Sequence, residues 1–259
     1  MLKISAMQRG MFERAALADF EARMSAHLKR FSPRHRRIVG DPELGELIVA
    51  GHKRAELYGL ASERSARIYI ELMLMFGVGF DTDPQHAWAV EPLRADDDEY
   101  RRVDRLRDAA WRHLDRTAGD DLDAAGRSQP GRAAAQLQHF ARPEYALSDE
   151  AGLDLQARLV ALLRRVFPAK CEDIGEPALA RTVEQALAKA RTFALITERG
   201  QALFVGLSVI LGAGFHGDPQ FTWAGRALAE IGSANERTRI EALLRGATEC
   251  LDRFWAEEG

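Results

Sequence analysis

The sequence predicts an all-α fold in which a unit of roughly five helices is used twice, as a pseudo-symmetric helical bundle. Three observations carry this. Shifting the chain by 135 residues lays positions 40–93 over 175–228, and 17 of these 54 positions are identical, where composition alone gives about three or four. Apolar residues recur at three- and four-residue spacing through most of the chain, as helices with one buried face require. Alternating apolar and polar runs, the mark of a half-buried strand, are nearly absent.

Each element follows in order. Residues 7–30 carry Phe12, Ala16, Phe20, Met24 and Leu28 along one helical stripe. Asp41 and Pro42 supply a cap and a first-turn proline for a helix running to Tyr58, which Gly59 stops. Ser62 caps the next helix, 63–76, whose Ile68, Tyr69, Ile70, Leu72, Met73 and Leu74 make it the central buried helix of its unit. Gly77 and Gly79 end it, Asp83-Pro84 opens a short helix holding Trp88, and a last helix covers 97–116. The second copy repeats these signals. Pro177, Thr197 and Asp218-Pro219 occupy the matching starts, 203–211 is its apolar helix, and Ile240, Leu243, Ala247, Cys250, Leu251 and Phe254 line its last. That last helix matches the first copy at a shift of 137.

Residues 117–147 are rich in Asp, Gly, Ser and Pro and read as a linker between units at 1–116 and 148–259. Within it, 133–140 has the composition of a short helix. Each unit is large enough for its own core.

Composition excludes several classes of function. With 36 basic and 39 acidic residues among 259, the net charge of −3 speaks against a dedicated nucleic-acid binder. The start of the chain lacks the apolar core of a secretory signal. The longest apolar stretch, 203–215, falls short of the roughly 20 residues that cross a membrane. Cys171 and Cys250 form neither a disulfide framework nor a metal spacing and suit a reduced cytoplasm.

Both copies contain Gly-x-Gly-Phe-x-x-Asp-Pro-Gln-x-x-Trp-Ala, at 77–89 and 212–224. Asp81, Asp83 and His86 in the first copy are potential metal ligands, or alternatively the ordinary start of a capped helix. The second copy favours capping, because Asp83 has its match in Asp218 while Asp81 becomes His216 and His86 becomes Phe221. Glu63, repeated as Glu198, reads as a first-turn carboxylate on the helix dipole. Trp88 and Trp223 read as plugs of their own units. Trp111 and Trp255 lack counterparts and suit partner contacts. Arg34, His35, Arg36 and Arg37 form the densest basic patch, in an expected loop. No phosphate loop, nucleophile elbow or paired-histidine helix is present, so no catalytic, cofactor or metal residue is assigned.

A helix ending Tyr-Gly, the capped Glu helix, Tyr-Ile-x-Leu-Met-x-x-Phe-Gly, then Phe-Asp-x-Asp-Pro and Trp-Ala resemble a little-characterised family of bacterial helical proteins. Members occur as single or double units, often encoded beside type VI secretion spike-tip and effector genes. The resemblance spans 55–89 clearly and 7–31 more loosely. The second copy departs from it at Ala194 and His216. It implies an accessory role, either an adaptor or co-chaperone for effector loading or an immunity protein, and carries over no catalytic residue. The expectation is therefore a non-enzymatic protein-binding module of the cytoplasm, without cofactor, whose partner is an effector, its adaptor or a spike component. Its candidate contacts are Trp111, Trp255, Asp81, His86, Arg34, Arg36 and Arg37. The alternative is an enzyme or metal- or ligand-binding protein with its site at the unit junction, where the copies diverge.

Overall fold

The computed structural model describes residues 6–117, 140, 153–229 and 235–255. Among them are twelve α-helices and no strand. The N-terminal half contains α1 (Ala6–Phe31), α2 (Pro33–Val39), α3 (Asp41–Leu57), α4 (Glu63–Phe76), α5 (Val90–Arg94) and α6 (Glu99–Thr117), with a 3-10 turn at Pro84–Ala89. The C-terminal half contains α7 (Leu155–Val166), α8 (Pro168–Ile174), α9 (Glu176–Thr192), α10 (Glu198–Leu211), α11 (Thr222–Ala229) and α12 (Glu236–Trp255), with 3-10 turns at Phe215–Gly217 and Pro219–Phe221. Helices α8, α9 and α10 repeat the lengths of α2, α3 and α4 at an offset of 135. No helix among the described residues is long and apolar enough to cross a membrane.

Each half has its own core, built around the helix expected to be central. Ile68, Tyr69, Ile70, Leu72, Met73 and Leu74 of α4 are buried against α3 and α6. In α10 every residue from Gly200 to Val209 is buried. The starts of both helices are held in the same way. Ser62 accepts a hydrogen bond from Ser65 N, and Thr197 accepts one from Gly200 N, both at 3.2 Å. The Glu99 carboxylate accepts from Ala61 N (2.8 Å) and Ser62 N (3.2 Å), as Glu236 accepts from Thr197 N (2.9 Å) and its hydroxyl (2.7 Å). Arg102 donates to Tyr58 O at 2.7 Å and Arg239 to Ala194 O at 2.9 Å. The last helix of each half thus clamps the turn that leads into the central helix, α3 to α4 in one and α9 to α10 in the other, satisfying backbone groups left open at helix ends.

Several elements differ from the sequence expectation. Arg34, His35, Arg36 and Arg37 lie in a helix, α2, where a loop was expected, because Pro33 at its first turn presets the backbone. Asp41 sits inside the first turn of α3 and pairs with Arg36, while Gly40 (φ 102°) takes the cap position. The α1 stripe is buried only over Phe20, Met24 and Leu28; Phe12 is exposed because α1 outruns the core beneath it. Phe140, within the stretch read as a linker, is fully buried in the C-terminal core. The remainder of that linker, with 133–139, lies outside the described residues.

The turn after α3 uses Gly59 at φ 66°, and its counterpart Ala194 takes φ 53°. A β-carbon in this left-handed region costs about 1–2 kcal/mol. Replacing Ala194 with Gly relieves that strain and returns about 0.4–1 kcal/mol of unfolded-chain entropy. The expected outcome is that Ala194→Gly stabilises by roughly 0.5–1 kcal/mol and Gly59→Ala destabilises by a similar amount, read from urea unfolding midpoints.

Candidate functional site

The repeated Gly-x-Gly-Phe-x-x-Asp-Pro-Gln segments face each other across the boundary between the halves. Asp83 caps its own turn by accepting from Gln85 N at 2.9 Å, and its second oxygen accepts from Ala213 N of the other half at 2.8 Å. Asp218 does the same in reverse, accepting from Gln220 N and Val78 N, both at 2.9 Å. Gln85 donates to Ser208 O at 2.9 Å, and Gln220 donates to Met73 O at 3.4 Å. Every one of these pairs is related by the offset of 135. Burial pushes both aspartates above the usual carboxylate range, against the pull of the backbone N–H groups that hold them.

The glycines make this approach possible. Gly77 and Gly212 sit at φ 90° and 93°, where side chains are strained. A β-carbon on Gly77 would lie 3.1 Å from Leu211 O, and one on Gly212 would lie 2.9 Å from Phe76 O. A β-carbon on Gly79 would lie 3.6 Å from Gly214 Cα, and one on Gly214 would lie 3.2 Å from Gly79 N. Around this centre α6 packs on α8 and α12 on α2, while α3 meets Pro219–Phe221 and α9 meets Pro84–Ala89. The motif is therefore the joint between the halves. The capping role of Asp83 holds, and the second role of its carboxylate was not visible in sequence. The signal that could have found it is Gln85 and Gln220, which recur without any capping need.

Beside the joint the halves diverge as sets. Asp81, 5% exposed, accepts from Tyr58 (2.8 Å) and Tyr69 (2.9 Å) hydroxyls and pairs with Arg54. Burial, reinforced by the carboxylate, raises the Tyr58 hydroxyl to about 12. The four counterparts are His216, Phe193, Phe204 and Lys189. There His216 meets Phe193 edge-on with ring centres 5.2 Å apart, and burial lowers its imidazole to about 4. Losing the carboxylate alone would strand two phenols and a guanidinium, so the four positions differ together.

His86, 4% exposed, lies among Phe76, Trp88 and His113, with ring centres 5.1, 5.7 and 5.6 Å away. His113 Nδ1 is 2.6 Å from Asp173 Oδ2 of α8, which also pairs with Arg116. The counterparts of His86, His113 and Asp173 are Phe221, Cys250 and Ile38, so one flank of the joint is polar and the other apolar. Burial lowers the imidazoles of both His86 and His113.

The expected contact residues are thus dispersed. Asp81 and His86 are corrected from surface contacts to interior ones, since their partners belong to this chain. Trp111 is 53% exposed on α6. Trp255 ends α12, and its side chain lies outside the described residues. Arg34, Arg36 and Arg37 are exposed on α2, while His35 turns inward to Phe254 at 4.8 Å. Trp88 and Trp223 pack on the cores of their own halves, as expected. Among the described residues no group of three His, Cys, Asp or Glu is arranged to hold a metal ion.

One open cavity of about 380 Å³ lies on the N-terminal half between α1 and α4. Its lining includes Phe20 and Met24 with Arg23, Arg30, Arg67, His27 and Glu63. Glu63 binds Arg23 at 2.9 and 3.0 Å, and Glu71 accepts from His27 at 2.6 Å. Sequence offered no signal for it, because these residues are spread over two helices and, of the lining, only Arg23, Ala26, Arg30 and Glu63 keep their identity at Arg158, Ala161, Arg165 and Glu198.

Two outcomes are expected. Asp83→Ala removes a cap worth about 1 kcal/mol and orphans the Ala213 N–H at about 1–3 kcal/mol. It should therefore destabilise more than Asp154→Ala, which removes only the cap that Asp154 makes on Ala157 N of α7; equal losses in urea unfolding would exclude the bridging role. Neutral buried histidines have folded pKa values below the unfolded 6.5, so their contribution is complete above that pH and is lost as pH falls through the folded values. His86→Phe, the residue present at position 221, should flatten the fall in stability between pH 7 and pH 5 by at most about 1.4 kcal/mol per pH unit.

No protein-family model, curated protein or solved structure matches the chain.

Proposed function

We propose that the chain is a protein-binding module, a tandem duplication of a helical unit in which the repeated residues build the scaffold and the divergent faces meet partners. One observation carries this reading. Beyond its first turn, the outward face of the central helix differs between the halves. Arg67 and Met75 of α4 are exposed and Glu71 is half-buried, whereas their counterparts on α10 are Ala202, Ile210 and Gly206, of which Ala202 and Gly206 are buried. By contrast, the recurring polar residues Asp83, Gln85, Ser62 and Glu99 are engaged within the molecule, as their counterparts are. The roughly five-helix unit is supported by the matched helix lengths and by the reciprocal bonds at the joint.

The partner class rests on the sequence resemblance: a type VI secretion effector, its adaptor or a spike component. Affinity capture of the tagged full chain from its native host, read by mass spectrometry, should recover one of these. Recovery of no specific protein would overturn the reading. Self-intoxication on deleting the gene would turn the adaptor assignment into an immunity one.

A further inference from the structure

On α10 the surface that corresponds to Glu71, next to the cavity of α4, is covered by a side chain of this chain, Phe140. Phe140 is fully buried, and a β-carbon at Gly206 would lie 2.6 Å from its ring. Its ring also stacks on Phe167 at 6.1 Å. Part of the counterpart surface is less exposed: the Arg158 side chain is 14% exposed where Arg23 is 49%, and Ala202 is fully buried where Arg67 is 46% exposed, whereas Glu198 and Glu63 are equally exposed. In the C-terminal half, then, one aromatic side chain from outside the helical unit, Phe140, lies against the central helix.

The N-terminal half has the same helices but a different seat. Glu71 stands where Gly206 admits the Phe140 ring, and it is held by His27 and flanked by Arg67. The free volume shifts toward the start of α4, over the apolar floor of Phe20 and Met24. Arg23 and Arg30 of α1 and Arg67 of α4 rim it, with Glu63 the one carboxylate in the lining, and Glu63 is already bound to Arg23. Arginine on both walls favours planar carboxylate partners.

We infer that this groove receives a peptide segment of the partner protein, inserting one apolar side chain onto Phe20 and Met24 while flanking carboxylates meet Arg30 and Arg67. The inference rests on the protein-binding reading and names the chemistry of what is bound. The apolar anchor excludes water from the floor, and the charge pairs set register and salt sensitivity. The C-terminal half does not compete for the segment, because Ala202 and Leu162 stand there in place of Arg67 and His27.

The test places p-benzoylphenylalanine at Ala26, an exposed groove position, or at its counterpart Ala161, also exposed, in the full chain in its native host. Irradiation should link Ala26, and not Ala161, to a segment of another protein that carries an aliphatic or aromatic residue beside Asp or Glu. That segment, synthesised with a fluorophore, should lose about tenfold or more in affinity for Arg67→Glu and for Arg30→Glu. Arg67→Gln, with an unchanged melting temperature, guards against a folding defect. Linkage to a neutral or basic segment, or to a second copy of this chain, overturns the inference, as does equal affinity for the charge-reversed variants. A partner captured by the intact chain but never linked from Ala26 removes the groove and leaves the binding reading standing. No captured partner removes both.

Discussion

Two buried carboxylates that each bond to a backbone N–H of the opposite half hold the molecule in its arrangement. Asp83 and Asp218 serve first as caps of their own turns, and the oxygen left over reaches across the boundary. Burying such a charge is costly unless its oxygens find donors, and here the donors come from both halves. Neither turn is complete alone. The glycines at 77, 79, 212 and 214 follow from this requirement, because the backbones must come within reach before a side chain as short as Asp can bridge them. The halves are therefore bound by short-range, directional bonds, with α6 packed on α8 and α12 on α2 around them.

Around that joint the two halves follow different chemistry on corresponding surfaces. The Asp81, Tyr58, Tyr69 and Arg54 network has an aromatic counterpart with one depressed histidine. The His86 and His113 flank has an apolar one. The charged face of α4 at Arg67 and Glu71 has a small-residue counterpart at Ala202 and Gly206, against which Phe140 packs. In each case several positions change as a group, since a buried polar residue without its partners costs more than a fully apolar set. The differences thus fall into blocks, and each block is internally satisfied.

The fold was legible to the extent that local signals determine it. Helices α3, α4, α9 and α10 were readable from apolar spacing, Ser62 and Thr197 from capping, and the identity of α4 and α10 as central helices from their apolar girth. The short helices α2 and α8 were missed, because seven residues carry too little periodicity to separate a helix from a loop. The joint was half legible: the recurrence of the motif marked it as important, but a cap explains Asp83 fully in sequence, and nothing local reveals that its second oxygen is spent elsewhere. The groove was illegible, since Arg23 and Arg67 are 44 positions apart and meet only when α1 lies on α4.

The residues that bond across the joint are interchangeable between the halves: Gly77, Gly79, Asp83 and Gln85 have the same identity at 212, 214, 218 and 220. The positions between them are not, since Asp81 in place of His216 would lie beside Phe193 and Phe204 with neither hydroxyl that holds it in its own half. Exchange at the joint is therefore silent, while exchange at a flanking position is tolerated only when its whole set moves with it.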